Sequence, residues 1–129
     1  MTATGSCLAA TVAPARADYG KVADVAEARR ALLGTFTAFG TDLSQIALAV
    51  SVPDVTIASG YALCSFKAGP YGGQMLLQNQ RGRWVKLDQT GGIMSIVDLR
   101  GLVPAAVATE LASHNALTRG NDPFLLGRR

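Results

Sequence analysis

The sequence predicts a small α+β domain in which an N-terminal helix packs on a curled antiparallel sheet and a short helix closes the chain. Three observations predict this class: apolar residues at helical spacing in residues 18–39, two-residue alternation between residues 46 and 89, and a second helical pattern that begins at Pro104. The chain has 129 residues, of which 49% are apolar, so it can form one domain with its own core.

Residues 18–39 predict the first helix. Their apolar side chains recur three and four positions apart, which places them in one stripe along a helix. Gly40 is a natural stop. The stripe consists of Val22, Val25, Ala26, Leu32, Leu33 and Phe36.

The middle of the chain predicts a meander of antiparallel strands. Residues 55–66 form a hairpin in this prediction, because alternating segments flank the two-residue turn Ser59-Gly60. Two further strands, 74–79 and 84–89, flank a turn at residues 80–83. Asp54 follows Pro53 in an interruption of the alternation, and we expect it in a solvated turn.

The C-terminal part predicts a short closing helix and a tail. Pro104 suits the first turn of a helix, where its missing N–H costs nothing. Residues 118–129 are polar and contain Gly and Pro, which predicts a flexible tail. The single domain is therefore expected to span residues 18–117.

Residues 1–17 resemble a signal peptide. A run of small residues ends in Ala15-Arg16-Ala17, the small-x-small pattern of a cleavage site. The run lacks a basic n-region, which a truncated start would explain; a disordered N-terminal tail is the alternative. Export would make the protein periplasmic or secreted in a bacterium.

Charge and hydropathy exclude two classes of partner. The twelve basic and nine acidic residues give a net charge of +3, and the basic residues are dispersed. Arg81, Arg83 and Lys86 share one predicted hairpin, but a nucleic-acid-binding protein usually has a more concentrated basic face. No apolar run reaches the ~20 residues of a spanning helix, so we expect neither a nucleic-acid partner nor an integral membrane protein.

No catalytic constellation is present in the sequence. His114 is the only histidine, and the carboxylates are spread singly along the chain. We therefore expect a non-enzymatic accessory protein, without a cofactor, that binds a protein partner or a small ligand. The sequence is also compatible with a homodimer.

A helix on one face of a meander is the layout of cystatin-like and NTF2-like folds. An NTF2-like cone offers the alternative of a small-molecule enzyme or a ligand-binding protein. Its ligand would contact inward side chains, for which we select Tyr61, Trp84 and Asp88. This alternative predicts a deep pocket lined by a buried carboxylate or tyrosine.

A second alternative is metal handling. Cys64, Met75, Met94 and His114 offer the thiol, thioether and imidazole ligands that suit Cu(I). A free cysteine inside a strand is more often a small core residue, and that interpretation of Cys64 competes with the metal site.

Short motifs also occur in a fixed order between residues 61 and 104. They are Tyr61-Ala62, Phe66, Tyr71-Gly72-Gly73-Gln74-Met75-Leu76-Leu77, Arg83-Trp84-Val85, Gly91-Gly92, Asp98-Leu99 and Val103-Pro104. This order resembles small exported bacterial proteins, some of which are labelled copper uptake system-associated proteins. Phe66 replaces the Trp of that pattern, and Gly101-Leu102-Val103-Pro104 carries one extra residue. The resemblance implies an exported protein associated with copper-handling systems.

Overall fold

The computed structural model describes residues 18–37, 50–68 and 71–121. It confirms the α+β class. The predicted signal peptide, the start of the alternating region and the end of the predicted tail lie outside the described residues. In chain order the elements are α1 (Val22–Thr37), β1 (Val50–Ala58), β2 (Tyr61–Ala68), β3 (Tyr71–Gln80), β4 (Arg83–Thr90), α2 (Ile96–Arg100), α3 (Ala105–His114) and α4 (Ala116–Asn121).

The four strands form an antiparallel meander in the order β1-β2-β3-β4. Both outer hairpins close through two residues with positive φ. These are Ser59 (48°) with Gly60 (83°), and Arg81 (57°) with Gly82 (86°). Such turns match the twist of the flanking strands, so they fix the register of each hairpin. The predicted hairpin over residues 55–66 is confirmed.

One face of the sheet, called here the α1 face, packs against the first helix. Val25 and Leu32 of α1 are buried on it, as the helical stripe predicted, and so is Ala28. Val22 and Ala26, which the stripe also included, are exposed. Fully buried aliphatic side chains dominate this contact, which is the main driving force for docking the helix. The sheet contributes Val50, Val52, Val55, Ala62, Cys64, Phe66, Met75 and Leu77.

The other face, called here the C-terminal face, is covered by the helices that follow the sheet. Ser95 caps α2 through a capping box with Asp98, and Pro104 precedes the first residue of α3. Helical side chains such as Leu99 and Leu111 pack there on Leu63 and Leu76 of the sheet. The sheet is therefore covered on both faces, whereas the predicted layout placed a helix on one.

Two expectations about the chain are corrected. Asp54 lies within β1 and is buried, not in a solvated turn. The predicted tail begins inside α4, where Thr118 is fully buried. Both residues are held by long-range hydrogen bonds, which local composition does not reveal.

A bulge explains the position of Asp54. The register between β1 and β2 shifts between Ser51 and Asp54, where Pro53 lacks an N–H for the ladder. Val52 and Val55 consequently both face α1, although they are three residues apart. The shift turns Asp54 toward the C-terminal face.

The segment before α1 is tied to the edge of the sheet. Tyr19 forms a parallel bridge beside Thr56, with its N–H donating to the Val55 carbonyl. Asp18 Oδ1 accepts from Arg29 Nη2 at 2.7 Å and from the Val55 N–H at 3.0 Å. None of the described helices combines the length and apolarity needed to cross a membrane.

Candidate functional site

A row of polar side chains crosses the C-terminal face of the sheet. Asp54 pairs with Ser65 between β1 and β2, and Ser65 pairs with Gln74 between β2 and β3. All three are buried. The Ser65 hydroxyl donates to Asp54 Oδ1 at 2.9 Å, and Gln74 Nε2 donates to the Ser65 oxygen at 3.1 Å. The pairing register of β1, β2 and β3 therefore places these three side chains in one hydrogen-bonded row.

Asn115 joins this row to the helices. It lies between α3 and α4, and its side chain is fully buried. Its Nδ2 donates to Asp54 Oδ1 at 2.9 Å and to Thr56 Oγ1 at 3.1 Å. Its Oδ1 accepts from Gln74 Nε2 at 3.0 Å and caps α4 by accepting from the Thr118 N–H at 3.1 Å.

The far end of the network fixes the loop after β4. Gln74 Oε1 accepts from the Met94 N–H at 2.7 Å, and the Thr118 hydroxyl donates to the Met94 carbonyl at 2.8 Å. The polar network is therefore Asp54, Thr56, Ser65, Gln74, Asn115 and Thr118. A buried network whose members are satisfied holds its side chains in one arrangement, since each unmade hydrogen bond would be costly.

A pocket of about 630 Å³ opens where this network meets the end of the sheet. Asp54 and Ser65 line it from the network, and Ile93 and Leu117 give it apolar side chains. Phe66, whose ring packs in the α1-face core, also borders it. Its volume falls within the ~300–1,000 Å³ that small-molecule sites occupy. Pro53, Lys67, Gly72, Gly73, Gly91, Gly92 and Ala116 complete the lining of this Asp54 pocket.

Glycines shape the pocket in two ways. A Cβ at Gly73 would collide with the Thr90 carbonyl oxygen, so only glycine permits this approach of β3 to the end of β4. A Cβ at Gly91 or Gly92 would meet no atom within 4 Å. These two glycines therefore keep space open at the pocket wall.

The environment of Asp54 favours its neutral form. Burial raises the pKa of the Asp54 carboxyl above its ordinary value, while hydrogen bonds from Ser65 and Asn115 partly oppose the rise. No cationic side chain within residues 18–37, 50–68 and 71–121 pairs with it; the ion pair formed there joins Arg29 to Asp18. The pocket thus contains a carboxyl held by neutral donors.

The residues predicted to contact a ligand lie at three separate places. Tyr61 is half-buried on the C-terminal face, where its hydroxyl oxygen accepts from Gln78 Nε2 at 3.3 Å. Trp84 is half-buried against the α1-face core, and its Nε1 has no hydrogen-bond partner among the described residues. Asp88 is exposed on β4. The pocket carboxylate that the ligand-binding hypothesis required is Asp54, and the lining includes none of these three residues.

Of the predicted metal ligands, the structure brings together Cys64 and Met75 but not Met94 or His114. Cys64 and Met75 are cross-strand partners, fully buried on the α1 face, where burial raises the pKa of the thiol. Met94 lies on the opposite face of the sheet. His114 is exposed, with its ring stacked on Tyr19 at a centroid distance of 3.8 Å. The described part of the chain contains no cluster of three or more His, Cys, Asp or Glu side chains suited to a metal ion.

Sequence reasoning missed the polar network, although one signal was available. A two-residue turn at Ser59-Gly60 places residue 54 opposite residue 65. Two short polar residues opposite one another in a buried hairpin would have indicated a hydrogen-bonded pair. Asn115 and Thr118 had no such local signal.

No protein-family model, no curated protein and no solved structure matches this chain, so the site is interpreted from its own geometry.

Proposed function

We propose that the protein binds a small, largely apolar molecule in the Asp54 pocket. One observation carries the proposal: a buried carboxyl, held in place by a network from three strands, the α3–α4 junction and α4, lines a pocket whose walls are otherwise mostly apolar. Ligand sites commonly combine apolar walls with a few fixed polar groups that orient the ligand.

The network supports this function because it orders the carboxyl before a ligand arrives. Asp54 receives two side-chain hydrogen bonds from buried donors, and both donors have further partners. A polar group that is already ordered loses little conformational entropy on binding. The same hydrogen-bond network also connects the pocket to α4, and Leu117 of α4 lines the pocket.

Binding is favoured over catalysis by the chemistry of the lining. Among the described lining residues the titratable side chains are Asp54 and Lys67, and the Ser65 hydroxyl already donates a hydrogen bond to the Asp54 carboxyl. The proposal therefore takes up the ligand-binding form of the NTF2-like hypothesis, with Asp54 in place of the inward carboxylate predicted at Asp88.

The test is a pocket-filling substitution with a matched control. Gly92→Leu places a side chain into open space at the pocket wall, whereas Gly34→Leu makes the same change on the exposed surface of α1. A library of small apolar fragments would be screened by ¹H–¹⁵N correlation spectra. We expect fragments that shift the amides of Ser65, Gly91 and Leu117, with binding lost in Gly92→Leu and retained in Gly34→Leu.

Two results would contradict the proposal. One is a screen in which no fragment shifts these amides at millimolar concentration. The other is unchanged binding in Gly92→Leu, which would place the bound fragments elsewhere.

Export forms a second part of the proposal. Cleavage after Ala17 would leave a chain that begins at Asp18, and such a chain keeps the hydrogen bonds of Asp18 with Arg29 and Val55 and the bridge of Tyr19. Removal of residues 1–17 is therefore compatible with every contact described for this segment. N-terminal sequencing of protein from the periplasm of a bacterial host should begin at Asp18; recovery of intact Met1 from the cytoplasm would contradict export.

A further inference from the structure

We infer that the ligand of the Asp54 pocket is an organic amine, in which an ammonium group meets Asp54 and an apolar body lies along Ile93 and Leu117. The inference rests on the proposed function and names its ligand class. It follows from the charge state of the network, the polarity of the walls and the position of Lys67.

The first argument is the unmatched charge of Asp54. The Ser65 hydroxyl and the Asn115 amide donate to Oδ1, and the Ser65 backbone also hydrogen-bonds the carboxyl, so the hydrogen-bond partners of Asp54 are neutral groups. A buried carboxylate without a cation is costly, because neutral donors replace only part of its hydration. A ligand ammonium group would supply the missing charge and a charge-assisted hydrogen bond.

The second argument comes from the walls of the pocket. Beyond Asp54 and Ser65, the lining consists mostly of apolar side chains and glycine backbone. Ile93 and Leu117 are the large apolar side chains of this wall, because the Phe66 ring packs in the α1-face core against Phe36. An apolar body attached to the amine would bury its surface there, which contributes roughly 25 cal/mol for each Å² removed from water.

The third argument is orientation. Lys67 is exposed while Asp54 is buried, so the positive charge of the lining lies toward solvent and the carboxyl lies inside. A cationic group is attracted inward to Asp54 and repelled at the rim. The ligand therefore enters with its ammonium group inward and its apolar body toward Lys67.

This arrangement couples ligand binding to proton release. Burial raises the pKa of Asp54, so the neutral carboxyl persists to a higher pH than that of a solvated aspartate. The ammonium group binds the ionised form, so amine affinity falls as the pH drops through the Asp54 pKa. The affinity of a neutral ligand of the same shape should not fall in this way as the pH drops.

The experiment compares three probes that differ in the charge of the head group. Phenethylamine, 2-phenylethanol and 3-phenylpropionate would be titrated into the wild-type protein at pH 7.5, with binding followed through the amides of Ser65, Gly91 and Leu117. We expect the amine to bind about tenfold or more tighter than the alcohol, as one charge-assisted hydrogen bond implies, and the carboxylate to bind most weakly.

Asp54→Asn removes the charge while keeping the shape. We expect this variant to bind the amine and the alcohol equally and to lose the pH dependence of amine binding. Asp88→Asn makes the same change at an exposed carboxyl outside the pocket lining, serves as the matched control and should keep the preference for the amine. Should Asp54→Asn fail to fold, the pH titration of the wild-type protein decides the question.

The outcomes separate the two proposals. Equal binding of all three probes in the pocket would overturn the amine inference and leave the binding function intact. Tighter binding of the carboxylate probe would assign the charge recognition to Lys67 and likewise overturn it. No shift of the pocket amides with any probe, or with any fragment of the wider screen, would overturn both.

Discussion

Each face of the sheet carries a buried apolar core, but the two faces are built from different chemistry. On the α1 face, Leu32, Val55, Cys64, Met75 and Leu77 form a core of apolar side chains and sulfur groups. The C-terminal face has its own apolar core, and beside it lies the polar network that begins at Asp54. Burial alone therefore does not distinguish a packing surface from a candidate site.

The two faces differ in the free energy that would be lost if their buried donors and acceptors were left without hydrogen bonds. Van der Waals contact and loss of apolar surface stabilise the α1 face, and its groups need no specific partner. Each polar member of the network needs its partners, because a buried unpaired donor or acceptor costs about 1–3 kcal/mol. A hydrogen-bonded network of this kind allows a polar group to be buried, and here it holds the Asp54 carboxyl at the pocket.

The largest expected effect is a cavity on the α1 face. Leu32→Ala removes a fully buried side chain between α1 and the sheet and should lower the free energy of unfolding by ~2–5 kcal/mol. Urea denaturation measures the change. Leu87→Ala, on exposed β4, is the control and should cost far less. Similar losses in the two variants would show that α1 does not dock as described.

The next effect is the loss of the centre of the network. Asn115→Ala removes both hydrogen bonds to Asp54 and Thr56 and both acceptor contacts with Gln74 and Thr118. We expect a loss of at least the ~1–3 kcal/mol of one unsatisfied buried group. Gln80→Ala, which removes an exposed amide, should change stability by less than about 0.5 kcal/mol. Equal stability of the two variants would contradict a connected network.

The reverse substitution adds a polar group to the α1 face. Cys64→Ser places a hydroxyl among the apolar partners of Cys64 and should destabilise the protein by ~1–3 kcal/mol relative to its apolar counterpart Cys64→Ala. In the wild-type protein, burial and the raised pKa should make the thiol unreactive toward a disulfide reagent until urea unfolds the chain. Rapid labelling of the native protein would show that Cys64 is accessible, which the copper hypothesis requires.

The smallest effect concerns stability and pH. Because the folded-state pKa of Asp54 is raised, the carboxyl contributes stability that is fully present below its ordinary value of 3.8 and is lost as the pH rises through the folded-state pKa. Asp54→Asn lacks this dependence. The difference in Tm between wild type and variant should therefore shift in favour of the variant as the pH rises through that window, and a shift in the opposite direction would contradict a raised pKa.

The sequence predicted the elements that depend on local patterns. In residues 55–66, two alternating segments lie on either side of a two-residue turn, which predicts a hairpin. The apolar stripe of α1 and the position of Pro104 before α3 are local signals that predict helices. The bulge at Pro53 was not predicted, because a proline in a strand pattern is equally compatible with a turn. This register shift between Ser51 and Asp54 places the Asp54 side chain on the C-terminal face of the sheet.

The candidate site depended on contacts distant in sequence. Asn115 lies 61 residues from Asp54, and Thr118 lies 24 residues from Met94. Asn and Thr are common in solvated loops, so composition favoured a flexible tail at Thr118 and gave no signal that Asn115 is buried. Only the packing of α3 and α4 on the sheet brings these side chains to the strands.

The most direct test of the central claim is the titration of Asp54 itself. Carbonyl ¹³C NMR of the wild-type protein, with Asp54→Asn identifying the resonance, measures the pKa of this carboxyl in the folded state. A buried carboxyl inside the pocket should titrate with a midpoint above 3.8, and saturation with phenethylamine should lower that midpoint. A midpoint at or below 3.8 in the free protein would show that Asp54 is solvated or already paired with a cation, and would contradict the site described here.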